Sequence, residues 1–425
     1  MERNYRDAVH NIIRVDTGTP EGELIARLID APEFQRLRRI RQLGLAYFAY
    51  QTAEHSRFTH SLGSFFLAKR VLDRLATRYD ISDKDKTAVK VAALLHDLGH
   101  GPFSHVIESI LSFHHEDFTV DTVTTEGTAI NKILSSYSDH LPADVADIIR
   151  GKFRRRALGQ LVSSQLDVDR MDYLLRDSLL TGVKYGIYDL EWVLKSIEIN
   201  EADDHLFISS GGVYAVEDYL QARYYMFRQV YFHRTLRSAE IVLRSLLRRA
   251  INLFQASKPI WFASGTAFET ILKGNRLSLD EHLSLDDADV LFHIKQWRRS
   301  DDKILADLSN RFLSRGLFKA LDLDIPDSER QEFITVARKI VEDNGFDPEH
   351  YFFEDKAGED PYFFYSGDDA DTKDRIYVET GSSHRTVKEI SEISSAVRGL
   401  QRGYSMHRIC FPAEVRDQIS NLFQT

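Results

Sequence analysis

Apolar residues recur at intervals of three and four through most of the first three hundred positions, and this spacing commits the chain to helices packed on helices. After a short extended arm, Leu24, Ile25, Leu28, Ile29, Phe34 and Leu37 keep the pattern. Leu62, Phe65, Phe66, Val71, Leu72 and Leu75 carry it from Ser61 to about Tyr79, and Val89, Val91, Leu94 and Leu95 carry it from Ser82 into His96, with Ser82 or Asp83 placed to cap. Further helices are expected near 103–112, 128–138, 142–150 and 158–178. A mostly helical stretch from Val213 to Phe254 carries Tyr219, Tyr224, Tyr225, Phe227, Tyr231 and Phe232, an aromatic stripe that reads as core.

Beyond about residue 305 the texture changes. Strand-like runs at Tyr362–Tyr365, Arg375–Val378 and Met406–Phe411 alternate with turns such as Ser366-Gly367-Asp368-Asp369. The expected architecture is mainly α, with a helical catalytic region over 1–304 that includes the N-terminal arm, and a smaller mixed α/β domain over 305–425. One cysteine, Cys410, excludes an internal disulfide framework and suits a reducing compartment, so a cytoplasmic location is expected. No apolar run approaches the roughly 20 residues that span a bilayer, so no membrane partner is expected. A net charge of −10 argues against a non-specific nucleic-acid coat. The basic clusters Arg36–Arg41, Arg154-Arg155-Arg156 and Arg248-Arg249 then read as solvated faces or local anion sites.

The chemistry concentrates in His96-Asp97-Leu98-Gly99-His100-Gly101-Pro102-Phe103-Ser104-His105. His96 and His100 share a face if the helix continues. With Gly99 and Gly101 against continuation, the alternative is that His96-Asp97 closes the helix and the later histidines sit on a turn. Partners for a metal site are available at His60, in Arg57-Phe58-Thr59-His60-Ser61, and at Asp169, in Asp167-Val168-Asp169-Arg170-Met171-Asp172-Tyr173. Two imidazoles and two carboxylates suit several divalent transition metals without choosing one, and leave positions open for water and a substrate oxygen.

These segments, with Phe34-Gln35-Arg36-Leu37-Arg38, Gln42-Leu43-Gly44, His115-Glu116 and Arg176-Asp177, resemble the HD-domain phosphohydrolases. The closer similarity is to the deoxynucleoside triphosphate triphosphohydrolases, which include the SAM-HD enzyme and its shorter bacterial relatives. It covers about residues 5–250 and continues more weakly to Met406-His407-Arg408 and Phe411-Pro412. The resemblance implies an HD-domain helical core and one catalytic divalent ion (Mn, Fe, Zn, Co or Ni) at His60, His96, Asp97 and Asp169, with Mg accompanying the nucleotide. It implies hydrolysis of a dNTP to deoxynucleoside and triphosphate by a metal-activated water at the α-phosphorus. His100, His105 and His115 would line the phosphate side as catalytic residues, with His105 supplying a proton to the leaving 5′ oxygen. Arg57, Arg170 and Arg223 would contact phosphates. Gln42, Leu43, Tyr173, Asp177 and Tyr231 would contact sugar and base. Asp30, Gln35 and Arg38 would belong to a regulatory site for an activating nucleotide, between subunits of a homo-oligomer (dimer or tetramer).

The chain departs from the family pattern at three places. Phe232 stands where the SAM-HD enzyme has Gln, Arg170 where it has Lys, and Asp7-Ala8-Val9-His10 lacks the usual proline. Two other readings stay open on the residues alone: an HD phosphohydrolase for a nucleoside monophosphate, cyclic nucleotide or alarmone, and a non-catalytic nucleotide-binding regulatory protein.

Overall fold

Helices begin where a short polar side chain can take a backbone N–H. Thr19, Ser82, Thr128 and Asp167 each accept such a bond and open the helices Pro20–Asp30, Asp83–Leu95, Ala129–Tyr137 and Val168–Thr181. The computed structural model describes residues 1–111, 113–359, 375–381, 386–400 and 404–424, and it is mainly α-helical. Arg57–Leu75, His105–Leu111, Ala129–Tyr137 and Leu141–Ile149 form helices where the apolar spacing puts them.

Four expectations change. The N-terminal arm is a β-hairpin, Glu2–Asp7 against Asn11–Asp16. The helix expected over 158–178 is interrupted: a turn at Arg156–Gly159 is followed by a loop, and helix resumes only at Val168. Asp167 closes that loop by accepting from the N–H groups of Ser164 (3.0 Å) and Arg170 (2.8 Å). The stretch from Val213 divides into Val213–Met226, a π-helical turn at Phe227–Tyr231, and Arg234–Gln255. The wide turn re-aims the aromatic stripe. Tyr219 is core; Tyr231, which the resemblance assigns to the sugar-and-base pocket, lines a cavity together with Phe227 and Phe232, and Tyr225 is exposed. Finally, the Arg36–Arg41 string forms short turns: Arg38 and Arg39 lie on a solvated face, as expected, the latter paired with Asp286, and Arg41 pairs with Glu54, whereas Arg36 is buried and donates to the Leu285 and Leu98 carbonyls.

Arg375–Val378 and Met406–Phe411 fall on the strands Tyr377–Thr380 and Tyr404–Phe411; Tyr362–Tyr365 and the turn at 366–369 lie outside the described residues. A four-stranded sheet runs in the order Ile197–Asn200, His205–Ile208, Tyr377–Thr380, Thr386–Glu389, its middle pair parallel. A three-stranded antiparallel sheet holds Tyr404–Phe411 between Lys319–Asp322 and Phe353–Glu359. Among the described residues no helix is long and apolar enough to cross a membrane.

Buried apolar side chains form two clusters. The first draws on Arg57–Leu75, Asp83–Leu95, Val168–Thr181 and Val213–Met226; the second is built on Arg234–Gln255 and the three-stranded sheet. Segment 305–425 feeds both, with Val378 and Ile390 in the first and Phe312, Ile409 and Phe411 in the second. Ile149 and Val162 of the first cluster and Leu45, Phe103, Val106 and Leu236 of the second line one cavity, which therefore opens at their seam.

Close backbone approach at the seam requires Gly99. A Cβ there would lie 2.0 Å from the His115 carbonyl oxygen and 2.4 Å from the Thr119 nitrogen. Gly99→Ala is expected to cost about 1–3 kcal/mol or more, because backbone atoms cannot yield as side chains do. A thermal melt followed by circular dichroism checks this, and an unchanged midpoint would contradict it.

Candidate active site

Helix Arg57–Leu75 buries His60 completely. Its Nδ1–H donates to Asp172 Oδ2 at 2.8 Å, so Nε2 faces away from Asp172. Helix Asp83–Leu95 ends as its apolar run meets His96, which caps it. His96 and Asp97 therefore close the helix, and His100 sits on the following turn. His96 Nδ1–H donates to the Ala93 carbonyl at 2.9 Å, which turns its Nε2 to within 3.2 Å of His60 Nε2.

Asp169, in the first turn of Val168–Thr181, places Oδ1 2.9 Å from His60 Nε2 and 3.5 Å from His96 Nε2. His60, His96 and Asp169 thus present one ligand atom each within 4.8 Å of one another. Asp97 reaches the same imidazoles from the side, 3.8 Å from His60 and 3.4 Å from His96, while Arg57 Nη1 donates to its Oδ2 at 2.6 Å. The structure brings all four expected ligands together. Each imidazole has Nδ1 committed as a donor, so both Nε2 atoms aim at the same point. They are compatible there only with a shared cation or a proton. The donor set fits a divalent metal ion.

The electrostatics agree. Burial by itself would lower the His60 pKa, but hydrogen bonds to Asp169 and Asp172 and the charge of Asp97 push it up to about 10. His96 is raised, with Asp97 and then Asp169 outweighing burial. Burial would raise Asp169, but His60 and His96 hold it well below the usual carboxylate range. Asp97 is held low against burial by Arg57, His96 and His100. Protonated at both ring nitrogens, His60 can donate to Asp172 through Nδ1–H and to Asp169 through Nε2–H.

A cavity of about 640 Å³ extends from this cluster, within the range of small-molecule sites. His96, Asp97, Asp169, His100 and His115 line it, as do Gln42, Leu43, Arg57, Arg170, Tyr173, Asp177, Arg223 and Tyr231. His60 lies behind the lining. The His100 and His115 rings stack with centroids 3.7 Å apart, and Glu108 Oε1 lies 3.4 Å from Nδ1 of His100 and 3.2 Å from that of His115. Burial, Arg57 and His115 lower the His100 pKa to about 4, so it is a neutral hydrogen-bonding group at pH 7. His105 opens the helix His105–Leu111; its side chain lies outside the described residues.

Arg170 pairs with Asp167 and donates to the Ser164 carbonyl at 2.7 Å, and Arg223 reaches Gln165 Oε1 at 3.3 Å. Asp177 is clamped, accepting from His55 at 2.8 Å and from the Tyr231 hydroxyl at 2.8 Å, with Tyr173 edge-on to Tyr231. Burial raises the Tyr173 hydroxyl to about 12 against Arg223 and Arg170. In the other expected group Gln35 Oε1 accepts from Arg38 at 2.9 Å, with Arg38 over the Phe58 ring, and Gln35 Nε2 donates to the carbonyl of Ile29 at 2.7 Å, next to Asp30, which pairs with Arg3 of the hairpin at 2.6 Å.

Several contributors escaped the sequence reading. Asp172 could have been found, because it lies one helical turn from Asp169. Glu108, His55, Gln165 and Asp287 carry no local signal, and Arg408 is marked only by the weaker resemblance around Met406-His407-Arg408. Asp287 accepts from Phe103 N (2.9 Å), and Arg57 donates to Ser104 Oγ; between them they hold two adjacent left-handed residues, Phe103 (φ 49°) and Ser104 (φ 43°). Arg408, from the strand Tyr404–Phe411, donates to the Phe232 carbonyl at 2.7 Å and so fixes the cavity wall.

Comparison with known proteins gives a consistent picture. Residues 57–177 match the HD domain and residues 189–259 the HD associated region. The uncharacterized protein YwfO of Bacillus subtilis (strain 168) is 36% identical over 416 residues, covering 97% of this chain and 93% of that protein. The deoxynucleoside triphosphate triphosphohydrolase SAMHD1 homolog of Dictyostelium discoideum is 30% identical over 272 residues, 59% of this chain and 50% of its own length; this chain thus spans about half of that relative. The crystal structure of a phosphohydrolase from Bacteroides thetaiotaomicron VPI-5482 superposes with a TM-score of 0.83 at 29% identity, covering 97% of this chain and 100% of that one.

A proton on His60 makes metal uptake pH-dependent. Its pKa rises from 6.5 to about 10 in the fold, so its contribution to metal-free stability is complete below about pH 6.5 and is lost as pH climbs through about 10. An entering cation must displace that proton, so the apparent affinity for a divalent ion is expected to increase about tenfold per pH unit across the neutral range. Chelator competition measures it, and a flat profile would contradict the assignment.

Proposed function

This chain belongs to the HD-domain phosphohydrolases, and on that premise we propose that it is a metal-dependent dNTP triphosphohydrolase, releasing deoxynucleoside and intact triphosphate. The observation that carries the reading is one cavity joining the His/Asp cluster to three arginines and to the clamped Asp177–Tyr231 pair. The SAMHD1 relatives named as deoxynucleoside triphosphate triphosphohydrolases support it.

A bound divalent ion would supply Lewis acidity and make water a nucleophile at neutral pH. His60, His96, Asp97 and Asp169 would hold the ion, whose identity among Mn, Fe, Zn, Co and Ni the donor set leaves open. The protein's own groups do the rest. Arg57, Arg170 and Arg223 offset the charge of a triphosphate and orient it through paired N–H donors. Arg57 is buried and fixed by Asp97 and Ser104, so it meets an incoming phosphate without reorganising. Neutral His100, stacked on His115, donates hydrogen bonds rather than charge. His105 keeps the role of proton donor to the leaving 5′ oxygen, from the start of its helix. Asp177 accepts from the sugar 3′ hydroxyl, and the Tyr173 and Tyr231 rings take the space a 2′ hydroxyl would need. Phe232 replaces a polar base contact by an apolar face, which favours stacking over hydrogen-bond selection. The same reading places an activating nucleotide at Asp30, Gln35 and Arg38 in a homo-oligomer.

The test is incubation of the purified protein with Mn²⁺ and each dNTP, with products resolved by chromatography. Deoxynucleoside plus triphosphate is expected. Monophosphate plus pyrophosphate, or turnover confined to monophosphates or cyclic nucleotides, would refute the substrate assignment. His105→Ala is expected to lower kcat by about 10²–10⁴-fold, the range for loss of a general acid, and an unchanged kcat would remove His105 from that role.

A further inference from the structure

The metal cluster has a supporting layer that begins in the N-terminal hairpin. Asp7 Oδ1 accepts from the N–H groups of Val9 (2.9 Å) and His10 (2.8 Å), which closes the hairpin turn, while its Oδ2 accepts from Arg176 Nη1 at 2.7 Å. The turn projects the His10 imidazole inward, where it is 3% exposed and rests on the Phe66 ring. His10 Nε2–H donates to Asp172 Oδ1 at 2.7 Å.

Asp172 is then fully used. Oδ1 takes His10 and Arg176 Nη2 (2.9 Å), and Oδ2 takes Arg176 Nε (2.8 Å) and His60 Nδ1 (2.8 Å). Four donors match the roughly four lone-pair sites of a carboxylate, so the group has no freedom to rotate. Gly63 makes the approach feasible: a Cβ there would lie 1.8 Å from Asp172 Oδ1 and 2.6 Å from Arg176 Nη2.

We propose that His10 is a positioning residue of the metal centre. By occupying Asp172 Oδ1 it holds Oδ2 on His60 Nδ1, and so fixes the tautomer and aim of the ligand nitrogen Nε2. Residues of this outer kind set metal affinity without touching the ion. The inference rests on His60 being a metal ligand and is independent of which phosphoester is cleaved. It gives the hairpin a role in the catalytic site separate from any nucleotide bound near Asp30, Gln35 and Arg38.

The experiment measures Mn²⁺ binding to the full chain by chelator competition and by the electron paramagnetic resonance spectrum of the bound ion. Melting of the metal-free protein is followed in parallel. His10→Phe keeps the contact with Phe66 and removes the donor; His10→Ala removes both; His10→Gln restores an N–H near the position of Nε2. The donor-less variants are expected to bind Mn²⁺ about 10–100-fold more weakly, with His10→Gln recovering most of the loss. Should His10→Ala not fold, the Phe and Gln pair decides the question alone. A purely structural His10 would lower the metal-free melting temperature and leave Mn²⁺ affinity at the wild-type value, and that result overturns the proposal. Wild-type protein that binds no Mn²⁺, Fe²⁺ or Zn²⁺ would overturn the ligand assignment and this inference with it. Tight metal binding without dNTP turnover would instead fault only the substrate reading.

Discussion

Two imidazole nitrogens, the Nε2 atoms of His60 and His96, are held 3.2 Å apart in the interior. That arrangement is repulsive unless positive charge lies between them, and the surrounding carboxylates of Asp97 and Asp169 deepen the requirement. Buried carboxylates cost several kcal/mol each unless they are paired. Arg57 beside Asp97 and Arg176 beside Asp172 meet part of that cost with permanent charge. The remainder falls to a proton or a cation at the Nε2 atoms. Much of the local architecture follows from this condition: the abrupt end of the helix at His96, the saturated Asp172, and the glycine that lets Asp172 approach.

The cavity depends on where the two apolar clusters meet. The first supplies the rigid helices that carry His60, His96 and Asp169. The second supplies the opposite wall, through Phe103, Val106 and Leu236. Elements remote in the chain tune that wall: Asp287 and Arg57 hold the left-handed pair Phe103–Ser104, and Arg408 anchors Phe232. Left-handed non-glycine residues are held at some energetic cost, and here they aim the loop that follows His100. Through Arg408 the strand Tyr404–Phe411 therefore helps shape the site.

The helical core was legible because a 3.6-residue period is a local property. Leu62 through Leu75 declare their helix with no knowledge of the rest of the chain. The π-helical turn at Phe227–Tyr231 was not, because the same aromatic spacing serves a core stripe or a cavity wall, and only the neighbouring helices choose. The N-terminal hairpin lacked a strong turn signal; Asp7 makes its turn with side-chain acceptors, and Asn11 follows with a positive φ. Asp172 was visible in the run Asp167-Val168-Asp169-Arg170-Met171-Asp172 but not as the partner of His60, since that bond also needed Gly63, on the helix that carries His60, to let the carboxylate approach.

Residue chemistry and helix faces were thus determined by the sequence alone: histidine and aspartate at a helix end, a second histidine one helix earlier, and an aspartate in the first turn of a later helix. Which lone pairs converge, which nitrogen of each imidazole is left for an ion, and which arginines turn into the cavity were decided only by the tertiary structure. Periodicity and capping act between covalent near-neighbours. Coordination and charge pairing depend on tenths of an ångström between atoms brought together by packing, and no local pattern encodes those distances.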